Sequence, residues 1–278
     1  DLAGCDLVIE AVFEDRAIKA DVTRKTEAVL GAGVVFASNT STLPITGLAK
    51  AHSKAENFIG LHFFSPVDKM PLVEIIMGEK TSKETLAKGF DYVLQIRKTP
   101  IVVNDSRGFY TSRVFGTYVM EGLALLAEGV HPRSIEVAGV QAGMPVGPLA
   151  VHDEVSLSLS LHVLEQTRKD FAAEGKVLEA RSGDAIIEKM CKVLDRPGKK
   201  AGKGFYDYPA AGTKGEKQLW PGLAEHWPHA KQQPAQQELI ERLMFVQALD
   251  AARCFEEGVV VTVADTNIGS IFGWGFAP

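Results

Sequence analysis

A histidine and a glutamate twelve residues apart, His62 and Glu74, carry the clearest proton chemistry in this chain. An imidazole titrates near neutral pH unaided, and a carboxylate on one ring nitrogen fixes its tautomer and stabilises the imidazolium. The intervening turn, Ser65-Pro66-Val67-Asp68, could fold two adjacent strands so that the pair lies side by side. Spacing alone also allows a buried histidine bonded to a convenient glutamate. Two further polar clusters follow short apolar runs: Glu14 with Lys19, and Asn39-Thr40-Ser41. In an open parallel sheet, ligands bind beyond the carboxyl ends of the strands, where all three clusters fall. Glu14 and Lys19 are equally open to being solvated charges at a helix start, and Asn39 and Ser41 to being turn or cap residues. Ser112 reads equally as a residue of a helix N-terminus. His52, His131, His152 and His162 have no convergent partners, and His226 and His229 only flank Trp227-Pro228. No metal site is expected.

The elements that position these groups alternate over the first hundred residues. Apolar runs at 6–12, 34–37, 58–63, 72–77 and 100–103 read as strands, and 15–30 and 82–97 as helices, with a short helix from Leu43 to Ala49. Strand–helix–strand order implies an α/β open sheet with buried parallel strands. After Asn104, helical spacing takes over in Arg107–Gly129, Arg133–Ala142, Pro148–Phe171, Asp184–Val193 and Glu238–Glu257. The fold class is therefore α/β, then all-α. Ala210–Pro234, rich in Pro, Gly, Gln and Lys, reads as a linker. A weak internal repeat relates Arg113–Val130 to Arg242–Val259 at an offset of 129, with Glu128-Gly129-Val130 answered by Glu257-Gly258-Val259. Two similar helical units are the physical reading.

The 278 residues are enough for one large domain or two ordinary ones. With 46% hydrophobic and 23% charged residues, wholesale disorder is excluded. A net charge of −5 without a basic block argues against non-specific nucleic-acid binding. No apolar run approaches the ~18–20 residues of a membrane span. Cys5, Cys191 and Cys254 are too scattered for a disulfide framework or a zinc site, which points to a reducing compartment. No Gly-x-Gly-x-x-Gly opens a helix after a strand. If the sheet binds a nucleotide, its phosphate-binding half is expected before Asp1, and the second helical unit is expected to be cut at Pro278.

Together the motifs resemble the L-3-hydroxyacyl-CoA dehydrogenases, in order and over essentially the whole chain. Val8–Glu14 is similar to their fourth strand, and Ser38-Asn39-Thr40-Ser41-Thr42-Leu43 to their nicotinamide-side turn. His62-Phe63-Phe64-Ser65-Pro66 with Leu72–Ile76 resembles their catalytic segment, Asp105–Phe109 the junction into their helical domain, and Gly202-Lys203-Gly204-Phe205-Tyr206 its closing motif. The resemblance implies NAD as cofactor, His62 as general base, Glu74 as its orienting carboxylate and Ser41 as a hydrogen-bond partner of the substrate oxygen. It places Glu14, Lys19, Asn39 and Ser65 along the cofactor and Ser112 along the substrate. Ser65 and Ser112 depart from the Asn that many members carry there.

The second helical unit makes the multifunctional α-subunits of fatty-acid β-oxidation the better match. The implied organisation is a partial Rossmann-type NAD-binding domain over 1–104 with its first half missing, and tandem helical C-terminal domains. The first helical domain spans 105–209. A linker at 210–237 and the start of a second repeat at 238–278 follow. The resemblance further implies an acyl-CoA substrate, a thiolase β-subunit partner, homodimerisation through the helical domains and a bacterial cytoplasmic location. Without its phosphate-binding half, the isolated piece is expected to be inactive. The competing reading is a non-catalytic docking or acyl-CoA-binding region.

Overall fold

The computed structural model describes residues 2–210, 212–213 and 215–276. In chain order it contains β1 (Leu7–Glu10), α1 (Arg16–Glu27), β2 (Val35–Ser38), α2 (Ile45–Leu48), β3 (Phe58–Phe63), β4 (Leu72–Met77), α3 (Lys83–Gln95) and β5 (Thr99–Asn104). The helices α4 (Thr111–Ala127), α5 (Pro132–Gln141), α6 (Pro148–Val155), α7 (Leu157–Ala173) and α8 (Ser182–Glu188) come next. The short pair β6 (Tyr206–Asp207) and β7 (Gln218–Leu219) precedes α9 (Leu223–His226), α10 (Gln236–Glu256) and α11 (Val263–Trp274). The chain forms two compact units. One takes the chain up to Phe115 together with Leu249–Phe276, and the other takes Gly116–Ala248.

The first unit is built on a sheet in the order β1-β2-β3-β4-β5. β1, β2 and β3 run parallel, and so do β4 and β5. β3 and β4 are antiparallel, as the side-by-side placement of His62 and Glu74 across a short turn requires. The short connection from Phe64 to Pro71 is the reason: a parallel return needs a crossover of a dozen or more residues. Val35, Ala37, Ile59, Leu61, Val73, Ile75 and Val93 form the buried core beneath α3. Local signals start the helices: Asp15 accepts from the amides of Ala17 and Ile18 to open α1, and Ser82 accepts from the Thr85 amide to open α3. α11, which the sequence reading did not anticipate, packs on this unit. Gly269 admits the side chains of Ile101 and Tyr110, where a Cβ would come within 2.8 Å of Ile101.

The second unit is helical. Within it the buried Asp153 carboxylate accepts from the amides of Phe205 and Tyr206, both at 2.9 Å, and from the Tyr208 hydroxyl at 3.0 Å. Gly204 is required there, because a Cβ would sit 1.9 Å from Asp153 Oδ1. Residues 218–233 are bonded back onto this unit. The Trp220 amide donates to Phe205 O, and the Ala230 amide to Gly129 O, both at 2.9 Å. The Arg196 guanidinium lies 4.1 Å over the Trp220 ring.

Three helical expectations are corrected. The helix expected over 148–171 is two helices, because Ser156 adopts φ 88° and breaks the ladder. The helix expected over 184–193 is α8 followed by a π-helical turn at Lys189–Val193. The helix expected from Arg107 begins at Thr111, after Phe109 at φ 52°. Pro278, where the second helical unit is expected to stop, lies outside the described residues.

The repeat has a structural counterpart. In the first unit Arg113 pairs with Asp250 and Glu257, and the Asn104 side-chain amide donates to Gly258 O at 2.7 Å. In the second unit Arg242 pairs with Glu121 and Glu128, and the Gln233 amide donates to Gly129 O at 3.0 Å. Every member of the first set lies 129 residues from its equivalent in the second.

Candidate active site

Antiparallel pairing of β3 with β4 puts His62 directly opposite Glu74. Side chains at directly opposed positions share one face of the sheet, and His62 Nδ1 lies 2.9 Å from Glu74 Oε2. Both are buried, His62 at 4% and Glu74 at 0% exposure. A buried carboxylate must be hydrogen-bonded. Glu74 Oε1 accepts from the amides of Tyr110 and Thr111 at 3.0 and 3.1 Å, and Oε2 accepts from the Thr111 hydroxyl at 2.6 Å. These donors belong to the N-terminal turn of α4, where the helix dipole favours negative charge. Because Nδ1 faces the carboxylate, the other ring nitrogen, Nε2, is the one available for proton exchange. The Phe64 and Phe109 rings flank the imidazole, with centroids at 4.4 and 6.2 Å.

Around the ends of β1 and β2 the remaining sequence-predicted residues fall into a second network. Asn39 follows β2 directly and accepts through Oδ1 from the Phe63 amide at 3.0 Å, one residue from His62. Glu14 Oε1 gathers the 40–42 turn, accepting from the Thr40 hydroxyl at 2.6 Å, the Ser41 amide at 3.2 Å and the Thr42 amide at 3.1 Å. Ser41 itself is exposed. Lys19 is 1% exposed, with Nζ 3.0 Å from Glu10 Oε1, 3.7 Å from Glu14 Oε2 and 3.4 Å from Val12 O. It sits behind the turn. Ser65 stands exposed two residues beyond β3, and Ser112 is half-buried in the first turn of α4, beside Thr111.

The sequence reading missed Glu10, Ser38, Thr40 and Thr111. Glu10 accepts from Lys19 and from the buried Ser38 hydroxyl. A carboxylate inside an otherwise apolar strand was the available signal for Glu10, since it demands a cation. Thr111 carried none, as threonine is ordinary near a helix start. Among the described residues no group of three or more His, Cys, Asp or Glu side chains could hold a metal. No helix among them is long and apolar enough to cross a membrane.

Comparison with known proteins agrees with this geometry. The NAD-binding domain of 3-hydroxyacyl-CoA dehydrogenase matches residues 1–106, and the C-terminal domain of 3-hydroxyacyl-CoA dehydrogenase matches residues 108–208. The fatty acid oxidation complex subunit alpha of Shewanella amazonensis is 42% identical over 275 residues, which is 98% of this chain and 38% of that protein. The chain thus spans well under half the length of such relatives. The crystal structure of (S)-3-hydroxybutyryl-CoA dehydrogenase from Ralstonia eutropha has a TM-score of 0.68 at 34% identity, covering 75% of this chain and 72% of that one. The Escherichia coli K12 3-hydroxybutyryl-CoA dehydrogenase shares the fold, with a TM-score of 0.79 at 23% identity over 99% of this chain and 73% of that one. On these matches the chain belongs to the 3-hydroxyacyl-CoA dehydrogenase family, with an NAD-binding sheet domain followed by the family's helical C-terminal domain.

Proposed function

We propose that the chain is the dehydrogenase region of a multifunctional fatty-acid oxidation α subunit and converts L-3-hydroxyacyl-CoA to 3-ketoacyl-CoA. The observation that carries this is the buried His62–Glu74 pair, held at 2.9 Å on adjacent strands and anchored to the start of α4. His62 Nε2 takes the proton of the 3-hydroxyl. Glu74 holds Nδ1–H, fixes the tautomer and stabilises the imidazolium that forms. The exposed Ser41 hydroxyl hydrogen-bonds the substrate oxygen, and Ser112 contacts the substrate from α4.

The donor set at the ends of β1 and β2 fits the nicotinamide riboside end of NAD. Asn39, Glu14 and the exposed Ser41 offer an amide, a carboxylate and a hydroxyl, the groups that match sugar hydroxyls and a carboxamide. When bound, NAD supplies the hydride acceptor for C3. Ser65 lies on the same side, at the end of β3. Lys19 acts from behind, holding Glu10 and Glu14 in place.

The domain limits follow the same reading: 1–104 for the NAD-binding part, 105–209 for the first helical domain, 210–237 as a connection and 238–278 as the start of a second helical repeat. As part of such a subunit, the protein would work in a reducing cytoplasm beside a thiolase β subunit, with the helical domains available for dimerisation.

The test is NADH consumption with acetoacetyl-CoA by the protein expressed from its own start codon. Turnover is expected, and His62→Ala is expected to reduce kcat by about 10²–10⁴-fold. A folded protein without turnover would shift the reading to a docking or acyl-CoA-binding role.

A further inference from the structure

Of the hydrogen-bond partners that hold the Glu74 carboxylate among the described residues, two depend on residue type. The Tyr110 and Thr111 amides would donate to Oε1 whatever side chains stood there. His62 and the Thr111 hydroxyl do depend on it, and both converge on one oxygen, Oε2, at 2.9 and 2.6 Å. Thr111 is 1% exposed. Its methyl faces α11, where a Cβ built on Gly273 would approach Thr111 Cγ2 to 3.1 Å. The branched side chain is thereby locked at χ1, with its methyl against α11 and its hydroxyl on the carboxylate. A hydroxyl at 2.6 Å to an ionised oxygen is a strong, directional bond.

We propose that Thr111 is a positioning residue for His62: its hydroxyl fixes the plane of the Glu74 carboxylate and shares the oxygen that holds the Nδ1 proton. Resting on the reading of His62 as base, this adds a link from α4 to the imidazole. The hydroxyl neutralises part of the charge on Oε2 and so weakens that oxygen's hold on Nδ1–H. It also stops the carboxylate from rotating about its two amide bonds. Without it, the imidazole is bonded more tightly but aimed less well.

Thr111→Val keeps the methyl packed against Gly273 and puts a second methyl in place of the hydroxyl, so the bond to Oε2 is lost and the carboxylate is free to turn away. Thr111→Ser does the reverse. In the 278-residue chain, the hydrogen-bonded Nδ1 proton of His62 is read by NMR as a downfield resonance. It is expected to move further downfield in Thr111→Val and to return towards the wild-type position in Thr111→Ser. In the protein expressed from its own start codon, kcat is expected to fall about tenfold to a hundredfold in Thr111→Val with KM little changed, and Thr111→Ser restores it. An unmoved resonance in Thr111→Val overturns the inference, whatever the activity. A fully active His62→Ala overturns the base reading alone, since the NMR arm needs no turnover.

Discussion

At Lys19 an ammonium that is 1% exposed meets Glu10 at 3.0 Å and Glu14 at 3.7 Å, and the same two carboxylates hold Ser38 and the 40–42 turn. Removing the cation leaves Glu10 buried without its counter-charge. Lys19→Met is therefore expected to destabilise the first unit by about 3–5 kcal/mol, and Lys19→Met with Glu10→Gln by much less. Urea unfolding of the two variants measures the difference, and equal losses would mean that the charge is not the cause. Glu74 poses a sharper residue-scale case. Both of its oxygens act as acceptors, so Glu74→Gln forces an amide NH₂ against N–H or O–H donors on one side. We expect kcat to fall by about 10²-fold or more with a smaller change in cofactor affinity, because the tautomer of His62 is no longer fixed. Steady-state kinetics with NADH varied at saturating acetoacetyl-CoA separates the two effects.

The break between α6 and α7 belongs to a larger scale. Ser156 at φ 88° stands where Gly198, at φ 123°, brings its backbone against the helix end; a Cβ on Gly198 would lie 2.8 Å from Asp153 O. One turn earlier His152 is buried, with Nε2 2.8 Å from the Ser160 hydroxyl. Its Nδ1 is a buried side-chain atom without a hydrogen-bond partner among the described residues. Desolvation holds its pKa down at about 3, against an ordinary 6.5. The unfolded chain thus binds this proton first, and stability drains away as pH falls from about 6.5 towards 3. Asp153 works the other way: burial raises its pKa to about 6, so its contribution is lost as pH rises through that value. Comparing His152→Leu with wild type at each pH isolates the histidine. The variant is expected to gain about 2 kcal/mol relative to wild type between pH 7 and pH 5, and a pH-independent difference would refute this. Nothing in residues 148–171 alone announces the break, because the helical spacing of Leu157, Leu161 and Leu164 continues the pattern of the preceding turn. The cause is a strand of chain some forty residues later. By contrast β3, β4 and the Ser82 cap were legible, since apolar runs and caps are local. The His62–Glu74 pairing was legible because a short turn leaves two strands little choice but to lie antiparallel. Thr111 and α11 were not, because their contacts are made across long sequence separations.

For the molecule as a whole, the reciprocal arginines connect sequence repetition to stability. Arg113 grips Asp250 and Glu257 in one unit, and Arg242 grips Glu121 and Glu128 in the other. Hydrogen bonding to the guanidinium holds the carboxyls of Glu257 and Glu128 below their ordinary range. Groups with depressed folded-state values stabilise above the unfolded value and lose that contribution as pH falls through the folded one. The guanidinium itself stays charged throughout, so acid switches these pairs off from the carboxylate side. Arg113→Ala and Arg242→Ala are each expected to cost about 1 kcal/mol at pH 7, the upper range for partly exposed pairs. The two losses should be similar, because the same three positions are used 129 residues apart. They should also be local. Hydrogen exchange should speed up around 249–257 in Arg113→Ala and around 116–128 in Arg242→Ala, with both effects shrinking as acid below the ordinary glutamate range protonates Glu257 and Glu128. If either substitution loosened the two regions equally, the repeated pairs would be reporting one global equilibrium, and the assignment of each pair to its own unit would be wrong.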